Sequence, residues 1–185
     1  LNMGAGDDAF HSAKFQNGDS VDMGAGDDTV YVMVGGGSGT PAFTSLNMTK
    51  LDGGAGTDTL AFVESTISNG DTLSLTTGGA TNFENLIGSS SAETIEGDES
   101  ANTLQGGTSS DDAADNIYGK GGNDILYGFN QERFGMSGWG DADDNLYGGS
   151  GDDQLYGTGG DNTLDGGTGK DTMTGSSGAD TFVIR

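Results

Sequence analysis

Acidic side chains in this chain recur two residues ahead of a large apolar residue. Asp144, Asp153, Asn162, Asp171 and Asp180 stand nine apart, and each precedes by two one of Leu146, Leu155, Leu164, Met173 and Phe182. Carboxylate and amide oxygens at such a spacing, together with the carbonyls of the glycines between them, are ligands for a hard cation. The sequence contains no cysteine, so thiolate sites and disulfides are ruled out. Calcium suits this donor set better than magnesium. It takes about six to eight oxygens in a flexible shell, whereas magnesium holds to an octahedron and keeps several waters.

With the apolar residue called position 8 and the acidic one position 6, the pattern extends upstream. Asp115 and Asp124 precede Ile117 and Leu126, while Glu84, Glu93 and Asn102 precede Leu86, Ile95 and Leu104. Nearer the N-terminus, "MGAGDDAFH" at Met3, "MGAGDDTVY" at Met23 and "GGAGTDTLA" at Gly53 place Asp8, Asp28 and Asp58 at position 6. Weaker copies centre on Asp19 with Val21 and on Asp71 with Leu73. The segments Val32 to Thr49 and Ala61 to Gly70 read as insertions, as do four residues within "GGTSSDDAAD" and eleven between Gly128 and Asp144. In the better copies glycine occupies the early positions: Gly148, Gly149 and Gly151 in one unit, Gly157 and Gly159 in the next, then Gly166, Gly167 and Gly169.

The elements that would position these residues follow from the period. Nine residues can make a short strand from positions 7 to 9 and a tight turn from positions 1 to 6, so two units complete a coil of 18 residues. Alternation along a strand sends position 8 inward and leaves positions 7 and 9 facing solvent. Turn glycines permit positive φ and close backbone approach, which aims several carbonyls at one point. Successive units fall on opposite sides, so Asp115, Asp144, Asn162 and Asp180 are expected along one edge and Asp124, Asp153 and Asp171 along the other. Tyr118 and Tyr147, and likewise Tyr127 and Tyr156, share position 9 and are expected to stack as neighbours.

These nonapeptides resemble the glycine- and aspartate-rich repeat of RTX proteins, G-G-x-G-x-D-x-U-x, with U a large apolar residue. The resemblance covers most of the chain. It implies an all-β fold, a right-handed parallel β-roll with calcium ions held between the turns and with loop insertions interrupting the repeat. On this reading residues 1–185 form one elongated roll, irregular over 1–82 and more regular over 83–185, with an insertion near 129–143. Glu84, Glu93 and Asn102 depart from the family's aspartate, and their turns have lost most glycines. The resemblance further implies a secreted or cell-surface bacterial protein, exported by a type I system and folded by calcium outside the cell. Two alternatives stand beside that reading: an accessory module of a secreted protease, lipase or polysaccharide-modifying enzyme, and an adhesion or carbohydrate-binding module.

Composition points the same way. Of 185 residues 37 are glycine and only 31% are hydrophobic, too few for a conventional layered core. The 29 acidic against 6 basic residues give a formal charge of −23, which opposes compaction until something cationic offsets it. The same charge excludes nucleic acid as a partner, since no basic patch exists to displace counterions from phosphates. No apolar run is long enough to span a membrane and no leader pattern is present, so membrane insertion is not expected. The chain begins at Leu1 rather than Met, and further domains of the same polypeptide are an expected partner.

Catalysis finds no constellation to support it, so the chain is not expected to be an enzyme. His11 is the only histidine and falls at position 9, an outward strand position. The "GK" pairs at Gly119 and Gly169 lack the Ser or Thr that a phosphate loop requires, and "DADDN" from Asp141 meets Leu146 where an EF-hand needs glycine. "NMT" at Asn47 matches a glycosylation sequon. The insertion from Phe129 to Asp143 holds the only tryptophan, Trp139, with Phe134, Met136 and Arg133, and is expected to pack outside a roll whose interior is one residue deep.

Overall fold

A computed structural model describes residues 1–12, 15, 18–32, 50–62, 70–107, 113–129 and 142–185. Short strands alternate along the chain between parallel sheets. One sheet has eight strands, in spatial order Ala9–Ser12, Thr29–Val32, Thr59–Phe62, Asn85–Ile87, Thr103–Gly107, Ile125–Phe129, Gln154–Tyr156 and Thr172–Thr174. Facing it are a six-stranded sheet of Thr72–Ser74, Thr94–Glu96, Asn116–Gly121, Asn145–Ser150, Thr163–Thr168 and Thr181–Val183, and a three-stranded sheet of Ser20–Asp22, Lys50–Asp52 and Ala80–Thr81. Apart from one 3-10 turn at Thr77–Gly79, no helix occurs among the described residues. The architecture is a parallel β-roll.

Its core is a double file of position-8 side chains in register. Leu60, Leu86, Leu104, Leu126 and Leu155 pair along the eight-stranded sheet. Leu73, Ile95, Ile117, Leu146 and Leu164 pair along the six-stranded one. All ten are fully buried. The weaker copies keep this register too, with Val21 and Leu73 both inside. Phe182 also holds position 8 but is 45% exposed, because Thr181–Val183 is the last strand of its sheet and no coil covers it.

Three readings of the sequence need amendment. Val32, Ala61 and Phe62 are not insertion residues: they complete the strands Thr29–Val32 and Thr59–Phe62 and are buried. Leu51, which no repeat copy claimed, lies between Val21 and Ala80 in the three-stranded sheet and is fully buried. Position 8 is also not alone in facing inward. Asp58, Asp124 and Asp153 at position 6 are at most 1% exposed, because the alternation that turns position 8 inward turns its second neighbour inward as well. The four-residue insertion, most of that at 129–143, including Trp139, Phe134, Met136 and Arg133, and the sequon at Asn47 lie outside the described residues.

The steps between successive position-8 residues differ at the two edges of the roll. Entering the eight-stranded sheet the step is nine residues from Val21 to Val30, Leu51 to Leu60, Ile95 to Leu104, Ile117 to Leu126, Leu146 to Leu155 and Leu164 to Met173. The exception is Leu73 to Leu86, a step of thirteen that contains the 3-10 turn. Leaving that sheet the step varies, with 21 residues from Val30 to Leu51, 13 from Leu104 to Ile117 and 20 from Leu126 to Leu146.

Candidate metal centres along the turns

Position 6 forms a ladder along each edge. On the edge that enters the eight-stranded sheet, the backbone N–H of Asp8 donates to Asp28 Oδ1 at 2.7 Å, that of Asp28 to Asp58 Oδ1 at 2.8 Å and that of Asp58 to Glu84 Oε2 at 2.8 Å. Farther along, Asn102 donates to Asp124 Oδ1 at 2.8 Å, Asp124 to Asp153 Oδ1 at 2.8 Å and Asp153 to Asp171 Oδ1 at 3.1 Å. On the opposite edge Glu93 donates to Asp115, Asp115 to Asp144, Asp144 to Asn162 Oδ1 and Asn162 to Asp180. The structure thus brings Asp115, Asp144, Asn162 and Asp180 together on one edge and Asp124, Asp153 and Asp171 on the other.

In Asp28, Asp58, Asp124, Asp153 and Asp171, as in Asp115, Asp144, Asn162 and Asp180, one side-chain oxygen reaches back to the preceding coil. The second oxygen is what calls for a cation. Oδ2 of Asp8, Asp28, Asp58, Asp124 and Asp153 is buried and accepts no hydrogen bond. A buried, unpaired carboxylate oxygen costs several kilocalories per mole unless it is protonated or meets positive charge. Accordingly, burial pushes the Asp124 carboxyl up to about 6, against the opposing hydrogen bond from Asn102 and with help from the neighbouring Asp153 charge. Burial raises Asp58 and Asp153 in the same direction.

Glycines make room for this arrangement. Position 1 lies directly under the carboxylate of its own unit: a methyl on Gly148 would sit 2.4 Å from Asp153 Oδ2, and one on Gly166 2.4 Å from Asp171 Oδ2. Gly157 faces Asn162 in the same way. Positions 2 and 4 are where the backbone itself requires glycine. Gly149 and Gly151 have φ of 108° and 134°, and Gly167 and Gly169 repeat this at 90° and 137°. A methyl on Gly167 would meet the Gly149 carbonyl oxygen at 2.1 Å, so turn carbonyls of one coil aim at the backbone of the next. The donor set between coils is therefore all oxygen. Among the described residues no three acidic or imidazole side chains converge, so an ion held here would depend on carbonyls for much of its shell.

A second ladder has no counterpart in the sequence reading. Position 5, treated as variable, carries Asp7, Asp27, Asn123, Asp143, Asp152 and Asp161, and their side chains reach forward rather than back. Asp7 Oδ1 accepts from Asp27 N at 2.9 Å, Asn123 Oδ1 from Asp152 N at 2.9 Å, and Asp152 Oδ1 from Lys170 N at 2.8 Å. Asp143 and Asp161 continue this along the other edge. The Asp-Asp pairs in "GAGDD" and "GSGDD" were the available signal. Two position-6 residues turn to their own coil instead: Glu93 accepts from both N–H and hydroxyl of Ser89, and Asn102 Oδ1 accepts from Asp98 N at 2.8 Å.

Outside the turns, Tyr118 stacks on Tyr147 at 4.8 Å and Tyr127 on Tyr156 at 5.0 Å between ring centroids. His11 is exposed and stacks on Tyr31 at 4.3 Å, an ordinary strand position. No described helix is long and apolar enough to cross a membrane.

No curated protein matches the chain. The profile of the RTX calcium-binding nonapeptide repeat matches it in four copies, over residues 87–112, 109–131, 140–173 and 147–182. Those residues carry the regular ladders of buried position-6 oxygens and stacked glycine turns, and over 87–182 the chain belongs to the RTX calcium-binding nonapeptide repeat family.

Proposed function

We propose that this calcium-binding structural module works as a folding switch, compact when calcium fills its turns and expanded when it does not. The observation that carries the reading is the set of buried, unpartnered Oδ2 atoms on Asp8, Asp28, Asp58, Asp124 and Asp153. In an oxygen-only setting they repel one another and the turn carbonyls, and a dication reverses that term. Asp8, Asp28, Asp58, Asp124, Asp153 and Asp171 would hold ions on one edge, and Asp115, Asp144 and Asp180 on the other. Carbonyls of turn residues such as Gly148, Gly149, Gly151, Gly166, Gly167 and Gly169 would complete the shells. Binding to the folded state alone stabilises it by RT ln(1 + [L]/Kd) per site, so several sites add up to a sharp response.

RTX repeats typically occur in secreted bacterial proteins, and a low-calcium interior with a calcium-rich exterior would place the switch at export. A carbohydrate strip gains no support from the tyrosines, because each pair spends a ring face on its partner. The test is circular dichroism with small-angle scattering. Chelated chain should lose strand signal and expand, and millimolar calcium should restore both while magnesium does so poorly. A chain equally compact and strand-rich in excess chelator would refute the proposal.

A further inference from the structure

Resting on the calcium reading above, one rung behaves differently from its neighbours. Asn162 is 1% exposed and occupies position 6 between Asp144 and Asp180. Its Oδ1 accepts from Asp144 N at 2.9 Å, as each aspartate's Oδ1 does from the coil before. In the aspartate rungs Asp124 and Asp153 the second atom, Oδ2, is buried without a partner. In Asn162 the second atom is a donor with three acceptors around it: Nδ2 lies 2.7 Å from the Gly159 carbonyl oxygen, 3.2 Å from that of Gly160 and 3.1 Å from Asp180 Oδ1.

Two turn carbonyls and the carboxylate of the following coil are the kind of oxygen set a cation would gather between coils. At this rung the amide hydrogens already sit among them. We propose that Asn162 is a tethered substitute for a calcium ion: its side-chain amide satisfies the oxygens of its rung, and no ion binds there. An amide carries two N–H donors, which suffices to spread over three acceptors as shared bonds. The same atoms close the space, since an ion drawn to Gly159, Gly160 and Asp180 would have to displace Nδ2. The edge carrying Asp115, Asp144 and Asp180 therefore contains a rung whose oxygens are satisfied without calcium, whereas on the Asp124–Asp153–Asp171 edge the one position-6 amide, Asn102, has its Nδ2 buried without a partner.

The experiment counts ions by equilibrium dialysis and calorimetric titration in the full chain, in Asn162→Asp and in the converse Asp153→Asn. Asn162→Asp should bind one ion more than the parent and, in chelator with a stabilising osmolyte that keeps the chain folded, unfold at lower urea, since it adds a buried carboxylate with no partner. Asp153→Asn should bind one ion fewer and resist urea better under the same calcium-free conditions. If Asn162→Asp binds as many ions as the parent and is equally stable in chelator, the inference is overturned while the calcium reading stands. If Asp153→Asn alone keeps the parent's ion count, amide substitution does not exclude the ion and the inference again fails. A parent that binds no calcium removes the reading beneath it and this inference with it.

Discussion

Asp124 offers the sharpest test of the idea that buried carboxylates oppose folding until a cation arrives. Its carboxyl titrates at about 6 in the folded roll against 3.8 ordinarily, raised chiefly by burial. A folded-state pKa above the unfolded one means that the folded state holds the extra proton between those values. The favourable contribution is then complete below about pH 4 and lost as pH rises through about 6. At about 1.4 kcal/mol per unit, two units correspond to ~3 kcal/mol, nearer 2 after solvent screening at the roll's edge. Calcium-stripped protein, kept folded by a stabilising osmolyte, should thus gain urea resistance as pH falls from 7.5 to 4.5. Asp124→Asn should flatten that dependence by ~2–3 kcal/mol and be the more stable form at pH 7.5. In calcium the order reverses at neutral pH, because Asp124→Asn has lost a ligand. Urea titrations at five pH values for both proteins decide the matter. Parallel pH profiles in stripped protein would show that the Asp124 oxygen is not the destabilising group, and the argument from orphaned oxygens would fail.

Other substitutions probe the turn and the faces. Gly148→Ala puts a methyl 2.4 Å from Asp153 Oδ2 and 2.7 Å from the Gly166 carbonyl oxygen, so it should cost about 1–3 kcal/mol of urea stability in calcium; an unchanged midpoint would mean that the turn relaxes freely. Thr158 holds φ of 72° at position 2, where the better copies have glycine, and Thr158→Gly should stabilise by about 1 kcal/mol, with a lower midpoint counting against the strain argument. A double-mutant cycle on Tyr118 and Tyr147, stacked at 4.8 Å, should return a coupling of about 0.5–1.5 kcal/mol, and a value near zero would mean that the stack is incidental.

Much of this structure could be read from a period of nine. Position 8 and position 6 sit where the spacing placed them, and the insertions of four and eleven residues appear directly in the ladder: Glu93 bonds Asp115 across 22 residues and Asp115 bonds Asp144 across 29, against 18 for uninterrupted coils. What stayed hidden depends on direction, which periodicity does not encode. Asp152 and Asp153 look alike in sequence, yet one reaches forward and the other back. Nor does a consensus show that Asn162 Nδ2 donates where Oδ2 of Asp124 and Asp153, at the same position of the repeat, has no partner. Leu51 and Phe62 were missed because long insertions beside them broke the phase that identifies a core residue.

The unequal steps at the two edges have a consequence for where this chain tolerates grafted sequence. An edge whose turns hold six positions in fixed order cannot lengthen without pulling a carbonyl or a carboxylate out of its rung. That is the edge entering the eight-stranded sheet, where "GGSGDD" and "GGTGKD" keep the step at nine and the one longer step, Leu73 to Leu86, belongs to a turn without that glycine pattern. The other edge already accommodates steps of 13, 20 and 21 residues, so length there is free as long as position 6 returns to its place. A four-residue Gly-Ser graft between Gly157 and Thr158 should leave the calcium count intact, while the same graft between Gly151 and Asp152 should remove at least one ion; equal losses at both places would show that neither edge is privileged. The roll is then a carrier with one display side, on which peptides or whole loops can be changed while the opposite edge keeps the coils in register.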